Sequence, residues 1–307
     1  MTAYRLILVV VNPSLQRTPA VLRAAEIAHA SGAALHMLAF DDPPGIDAAL
    51  FVPGEVAAIA RKTYEAERAR DLNEIARIPR ELGIKVDTQI VRGRQTDRQL
   101  ASAVAALSPD LVIRDVHREQ AIRRVILGSR DWAFIAVCPS PLLLVHDVPI
   151  HKPRRVLAAI DPVHDRNTKG RLNERIVETA VGLAIQCDAE VHLIHVFEGL
   201  SGRAAHAAAY SHIAFEQAHR DLSTQRRHAL DTFASRFSVP EECKYFLDGD
   251  PVAEISRFVA SHAIDVVVAG YGSRGPIESL AMGSVAERLL QAVDSDVLIV
   301  HPAAASE

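Results

Sequence analysis

The chain has 307 residues, of which 49 % are hydrophobic and 23 % are charged, a composition typical of globular proteins and sufficient for about two domains. Its formal net charge of −4 lacks the basic excess that favours binding to nucleic acids, and no apolar stretch approaches the length of a membrane-spanning helix. We therefore expect neither nucleic acid nor a membrane as a partner. Three widely spaced cysteines predict a reducing, cytoplasmic location.

In chain order, the first half alternates apolar strands with helices. The apolar run Leu6–Val11 predicts a strand that ends at Asn12, and helical spacing follows over Pro19–Ala30. A long amphipathic helix is predicted over Glu55–Glu81 and a shorter helix over Asp97–Leu107. Because the strands are apolar throughout rather than alternately polar, we expect a parallel sheet with helices on both faces.

The second half shows the same order of elements. Helices are predicted over Arg175–Gln186, Ala214–Arg236 and Val252–His262, and an apolar strand is predicted over Val266–Ala269. In total we predict five strands in each half, with helices between them.

Three short segments recur between the halves at nearly constant spacing. Their offsets are 149, 156 and 155 residues, which indicates a duplicated domain rather than a solenoid, whose units are much shorter. With right-handed crossovers, we predict two tandem doubly wound α/β domains, residues 1–150 and 151–307, each with a five-stranded parallel sheet in the order 3-2-1-4-5 flanked by helices. The recurring segments are Leu8–Pro13 and Leu157–Pro162, Leu35–Leu38 and Val191–Ile194, and Asp110–Ile113 and Asp265–Val268.

A glycine-rich segment follows the strand Val266–Ala269 and ends at a helix start. Glycine lets backbone N–H groups approach phosphate oxygens, and the first turn of a helix presents further N–H groups to an anion. Ligands of doubly wound folds sit beyond the carboxyl ends of the strands, so we expect this segment to converge with Asp161. The predicted phosphate-binding residues are Gly270, Gly272, Ser273, Arg274, Gly283, Ser284 and Val285.

The corresponding segment of the first half is a degenerate phosphate loop. Asp115 stands in place of Gly270, and Asn12 stands in place of Asp161, whereas Gly128-Ser129 persists as a predicted helix start. A carboxylate at position 115 would repel phosphate, although the amide of Asn12 can still read a base. We therefore predict at most one phosphate site of this kind, in the second half.

The glycine frame resembles that of the universal stress protein family, which has Gly, two residues, Gly, nine residues, Gly, then Ser or Thr. Here the frame reads Gly270, Ser273, Gly283 and Ser284, and Asp161 matches the acidic residue that the family carries after its first strand. The resemblance covers nearly the whole chain and is to the tandem type with two such domains. Ser273 departs from this pattern, because it stands where the family has its second glycine. A serine at positive φ would cost on the order of 1 kcal/mol.

The resemblance implies a cytoplasmic stress-response regulatory protein without a typical catalytic reaction. Some members bind ATP or AMP, and we expect one of these nucleotides in the C-terminal domain, with Mg²⁺ accompanying ATP. Asp161 would accept a hydrogen bond from the adenine amino group, while Ile160 and Val196 would contact the base. The way in which family domains pair implies an intramolecular pseudo-dimer, and a further homodimer stays open.

Structural roles stay open for several of these residues. Ser284 could be a helix N-cap and Asp161 could cap the end of a strand. Val196 could be a core residue and Arg274 a surface residue. The main functional alternative is a stress adaptor that acts without nucleotide, through an unknown regulatory protein partner, or a protein that binds an apolar metabolite. No catalytic residue or metal ligand is predicted, although a weak ATPase activity stays open.

The chain also has 14 histidines. No cysteine or acidic residue accompanies them at a metal-ligand spacing. We interpret them as surface residues, including His192 and His195 around the second strand of the second half.

Overall fold

The computed structural model of the protein describes residues 3–41, 54–93, 95–116, 134–147, 151–162, 171–199, 212–271 and 285–302. The chain divides into two units, Thr2–Lys152 and Pro153–Glu307. Within each unit the strands run parallel to their neighbours and are flanked by helices, so the predicted α/β fold is confirmed.

The first unit contains a five-stranded sheet in the predicted order, β3-β2-β1-β4-β5. Its strands are β1 (Leu6–Val11), β2 (Ala34–Asp41), β3 (Val86–Arg92), β4 (Leu111–Asp115) and β5 (Leu142–Val145). Its helices are α1 (Pro19–Ser31), α2 (Gly54–Glu81) and α3 (Asp97–Leu107), and residues 134–137 are also helical.

The second unit repeats this order as β8-β7-β6-β9-β10. Its strands are β6 (Arg155–Ala159), β7 (Glu190–Phe197), β8 (Lys244–Asp248), β9 (Val266–Gly270) and β10 (Asp296–Val300). Its helices are α4 (Leu172–Cys187), α5 (His212–Ala234), α6 (Pro251–His262) and α7 (Val285–Ala292), with a 3₁₀ turn at Glu241–Cys243. Among the helices of the described residues, none is both long and apolar enough to span a membrane.

The central strands form the core of each unit. In β1, Ile7–Val11 is at most 4 % exposed, and in β10 Val297–Val300 is at most 1 % exposed. A fully buried aliphatic side chain contributes about 1.5–3 kcal/mol relative to an exposed one. Continuous burial explains why these strands read as unbroken apolar runs, because both faces of a parallel sheet are covered.

The duplication extends to individual hydrogen bonds. The carboxylate of Asp110, before β4, accepts hydrogen bonds from the backbone N–H groups of Arg5–Leu6 at 2.7 and 3.0 Å. In the second unit, the carboxylate of Asp265 accepts bonds from the N–H groups of Arg154–Arg155 at 2.7 and 2.9 Å. Each aspartate therefore fixes the start of the first strand of its unit beside the start of the fourth.

The ends of the second strands are also equivalent. The N–H of Gly93 donates to the carbonyl of Asp41 at 2.7 Å, and the N–H of Gly249 donates to the carbonyl of Phe197 at 3.0 Å. Both glycines have positive φ, at 101° and 145°, which a residue with a side chain rarely adopts. The structure thus equates Asp41 of the first unit with Phe197 of the second.

His192 and His195 of β7 are buried, so their interpretation as surface residues was wrong. His192 is 7 % exposed, and its ring lies 5.9 and 6.4 Å from those of Tyr245 and Phe258. Neither of its ring nitrogens has a hydrogen-bond partner among the described residues, although a Glu190 carboxylate oxygen is 3.7 Å from Nε2. Burial lowers the pKa of His192 below its ordinary value of 6.5, and this effect outweighs the opposing charge of Glu190.

We expect the protein to lose stability as the pH falls below about 6.5. His192 takes up a proton near that pH in the unfolded chain, but only at lower pH in the folded protein. The neutral ring therefore makes its full contribution to the free energy of unfolding above the unfolded pKa, and this contribution decreases as the pH falls. The variant His192→Phe keeps a ring between Tyr245 and Phe258 and should flatten this dependence. The check is the urea midpoint of unfolding from roughly pH 7 to pH 5.

The exposed His228 supplies a matched control for the loss of one histidine. His228→Gln should keep the wild-type dependence of the urea midpoint on pH. An equal flattening in His228→Gln, or an unchanged slope in His192→Phe, would contradict the assignment to the buried ring.

Candidate functional site

The carboxyl ends of β6 and β9 lie side by side in the second unit. The two strands pair with Ala159 opposite Ala269, so that Ile160 and Asp161 follow β6 where Gly270 ends β9. The neighbours of β6 are β7 on one side and β9 on the other. This edge is therefore the switch point at which doubly wound folds bind ligands.

The backbone of Asp161 is held by the side chain of Asn173, in the first turn of α4. The Asp161 N–H donates to Asn173 Oδ1 at 3.0 Å, and Asn173 Nδ2 donates to the Asp161 carbonyl at 2.7 Å. Asn173 is 5 % exposed, so both bonds are shielded from competing water. This contact could not be predicted from the sequence, because an asparagine near a helix start usually caps its own helix.

The carboxylate of Asp161 lies beside a guanidinium that was not predicted to be there. Nη1 of Arg226, in α5, is 3.8 Å from Asp161 Oδ1, which is too long for a hydrogen bond. The Arg226 guanidinium carbon is also 5.9 Å from the centroid of the Phe197 ring, at the end of β7. A ligand that donates a hydrogen bond to Asp161 therefore meets Arg226 at the same carboxylate.

Ile160 and Val196, which were predicted to contact a base, have buried side chains. The Ile160 N–H donates to the Ile194 carbonyl at 3.0 Å, and the Ile160 carbonyl lies 3.0 Å from Nδ1 of His195. A carbonyl can only accept, so Nδ1 of His195 carries the proton. The backbone around Ile160 is thus fixed by β7, and Val196 follows His195 on the same strand.

Gly270 has no room for a side chain. A Cβ atom built on it would lie 2.7 Å from Leu172 Cδ2, 2.9 Å from Leu172 Cγ and 3.0 Å from Ile176 Cδ1. Side chains at the start of α4 therefore pack directly against the end of β9. This packing gives Gly270 a structural role that is independent of phosphate.

At the equivalent position of the first unit, Asp115 serves a different purpose. Its Oδ1 accepts a hydrogen bond from the Ala20 N–H at 2.9 Å, in the first turn of α1. Helix starts leave such N–H groups without a partner in the helix, so this carboxylate caps α1 from a neighbouring strand. The first helix is thus joined to the fourth strand by a hydrogen bond to Asp115 in the first unit and by side-chain packing against Gly270 in the second.

The remaining predicted site residues belong to the loop before α7. Val285 is the first residue of α7 and is partly exposed. Outside the described residues lie Gly272, Ser273, Arg274, Gly283 and Ser284, as does the first-half segment Gly128-Ser129. In the part of the chain that the structure describes, no cluster of three or more His, Cys, Asp or Glu side chains could hold a metal ion.

One further charged pair connects α6 with α7. The Asp250 carboxylate caps α6 by accepting from the Ala253 N–H at 2.9 Å, and Arg288 Nη2 lies 3.1 Å from its other oxygen. The Ala253 bond, followed by the Arg288 contact, lowers the pKa of Asp250 below its ordinary value. The arginine one turn into α7 is therefore already paired with a carboxylate.

Gly270→Ala should lower the free energy of unfolding by about 1–3 kcal/mol, because the new methyl group overpacks the contact with Leu172. The penalty should shrink in the Leu172→Ala background, where the closest atoms are gone. A double-mutant cycle followed by urea unfolding measures this coupling. An equal penalty in both backgrounds would show that the Leu172 contact is not the reason.

The sequence model described as "Universal stress protein family" matches residues 3–146 and 153–301. The chain is 25 % identical to Universal stress protein E of Salmonella typhi, over 98 % of this chain and 96 % of that protein. It is 24 % identical to Universal stress protein E of Escherichia coli K12, over 98 % and 95 %.

Solved structures agree with this likeness at the level of the fold. A functionally unknown protein from Pseudomonas aeruginosa PAO1 superposes with a TM-score of 0.71 at 22 % identity, covering 98 % of this chain and 93 % of that one. A universal stress protein from Archaeoglobus fulgidus gives a TM-score of 0.65 at 16 % identity, covering 96 % and 98 %. Both alignments span the two halves of the chain.

Proposed function

Because the chain belongs to the universal stress protein family, with two such domains in tandem, we propose that it is a stress-response regulator whose second domain binds an adenine nucleotide, ATP or AMP. With ATP, Mg²⁺ would be bound through the phosphates. We also propose a regulatory protein partner that responds to the nucleotide, and a cytoplasmic location, since all three cysteines are free thiols.

The observation that supports this proposal most is the position of Asp161 at the switch point of the second sheet. Its backbone is fixed by Asn173, and its carboxylate is half exposed beyond the strand. An ionised carboxylate accepts hydrogen bonds and cannot donate them, which suits the exocyclic amino group of adenine. The first unit has Asn12 at this position, and its Oδ1 already accepts from Ser14 Oγ at 2.9 Å.

A second candidate is an adaptor that works without nucleotide, or with an apolar metabolite. Two features favour it, namely the packing of Gly270 against Leu172 and the ion pair of Asp161 with Arg226. Both residues then have structural roles that need no ligand. A weak ATPase would require a general base next to the bound nucleotide, and no feature of the described residues favours that activity over binding alone.

Titration of the ligand-free protein with ATP and AMP in a calorimeter tests the proposal. We expect one site per chain. Asp161→Ala should weaken binding by about 10- to 100-fold, because a hydrogen bond to a charged group contributes about 1.5–3 kcal/mol. Native mass spectrometry of the purified protein reports any nucleotide or other ligand that was carried through purification.

Asn12→Ala, at the equivalent position of the first domain, is the matched control and should bind as the wild type does. The proposal fails if the ligand-free wild type shows no heat of binding with either nucleotide. A non-nucleotide mass retained by the native protein would favour the second candidate.

A further inference from the structure

An arginine from the long second helix reaches the carboxyl edge of the sheet in both units. Arg68 of α2 does so in the first unit, and Arg226 of α5 does so in the second. Each approaches the residue that ends the second strand of its unit, Asp41 or Phe197. These two residues are equivalent, because their carbonyls accept the matching backbone hydrogen bonds from Gly93 and Gly249. Each also reaches the turn that follows the first strand of its unit.

In the first unit this arginine is firmly anchored. Nε of Arg68 donates to Asp41 Oδ1 at 3.2 Å, and Nη2 donates to the carbonyl of Pro13. Asp41 also accepts a hydrogen bond from the Tyr64 hydroxyl at 2.9 Å, and Asp71 lies 3.9 Å from Nη1. The side chains of Arg68 and Asp41 are only 15 % and 12 % exposed. A charge-assisted, largely buried network of this kind resists displacement.

In the second unit the equivalent arginine is held loosely. Arg226 meets Asp161 at 3.8 Å and the Phe197 ring at 5.9 Å, and the Asp161 carboxylate is 47 % exposed. The Arg226 side chain is 23 % exposed and Phe197 is 7 % exposed, but an ion pair at 3.8 Å with a half-exposed carboxylate and a cation–π contact at 5.9 Å are both weak because of their long distances. The difference has a simple cause: Phe197 replaces Asp41, so the arginine has exchanged a carboxylate anchor for an aromatic ring.

The two groups that Arg226 contacts are also those that a purine would use. A guanidinium is flat, stacks on a ring and donates N–H bonds to a carboxylate. Adenine is likewise flat, stacks on a ring and donates through its amino group. Asp161 and the Phe197 ring, which is 7 % exposed while Arg226 lies against it, are therefore groups to which either the side chain or the base would bind.

We propose that Arg226 occupies the base subsite of the second domain in the absence of nucleotide and that the base binds by displacing it. This inference rests on the proposed function and adds the element that sets affinity. If only a fraction of the protein has the subsite open, the apparent affinity is the intrinsic affinity multiplied by that fraction. A closed form favoured about tenfold therefore weakens binding about tenfold.

Arg226→Ala should tighten ATP binding by about tenfold in calorimetry, with AMP changed by a similar factor. Arg227→Ala is the matched control, since it removes the same charge from the next residue, whose guanidinium lies 4.6 Å over the Phe246 ring. It should leave ATP affinity unchanged or lower it slightly. If Arg226→Ala does not fold, Arg226→Gln removes the same charge and keeps a similar length.

The outcomes separate the two proposals. Wild-type binding with an unchanged or weaker affinity in Arg226→Ala overturns the displacement and leaves the nucleotide site standing. An equal gain in Arg227→Ala assigns the effect to net charge and also overturns it. Absence of binding in the wild type overturns both proposals.

Stability gives a second readout that needs no nucleotide. Arg68→Ala should lower the urea midpoint more than Arg226→Ala does, because it leaves the largely buried Asp41 carboxylate without its guanidinium partner. Equal losses in the two variants would show that Arg226 is anchored as firmly as Arg68, which the displacement does not allow.

Discussion

Burial of a parallel sheet is the constraint on which each half of this protein depends. Parallel strands cannot be joined by tight turns, so each must return through a helix that covers the sheet. All carboxyl ends then lie along one edge, where the covering helices leave the strands. In the second unit this geometry alone brings Asp161, Phe197 and Gly270 to that edge from strands that are far apart in the chain.

The duplicated backbone carries different chemistry in its two copies. The aspartates at the starts of the fourth strands make the same pair of backbone hydrogen bonds in each unit. At the carboxyl edge the copies diverge, because Asp115 caps a helix where Gly270 admits Leu172, and Asp41 binds an arginine where Phe197 offers a ring. Bonds that fix the fold are thus repeated, whereas side chains at the carboxyl edge differ.

The fold could be predicted from the sequence because it depends on local apolar patterns. The strand Leu6–Val11 and the helix Asp97–Leu107 have the predicted bounds, since each shows a clear period or run. The contacts of Asn173 and Arg226 with Asp161 could not be predicted in this way. Arg226 lies 65 positions along the chain from Asp161 and approaches it only once α5 packs on the sheet.

The burial of His192 and His195 also could not be predicted from the sequence. Histidine is polar, so its place on β7 suggested the surface. The strand is buried along most of its length, however, and the rings of Tyr245 and Phe258 enclose His192. The register of the sheet therefore outweighed the preference of a single side chain, as it does for any residue in a strand covered on both faces.

Rigidity at the carboxyl edge of the second sheet is distributed unevenly, and this determines what the proposed binding would require. Asn173 holds the Asp161 backbone with two shielded hydrogen bonds, and β7 holds the backbone of Ile160. Each such bond contributes about 0.5–1.5 kcal/mol, whereas an exposed ion pair contributes about 0–1 kcal/mol. The contact of Arg226 is therefore the weakest of those described at this edge, and among the described residues its side chain is the one that a base at Asp161 would have to displace.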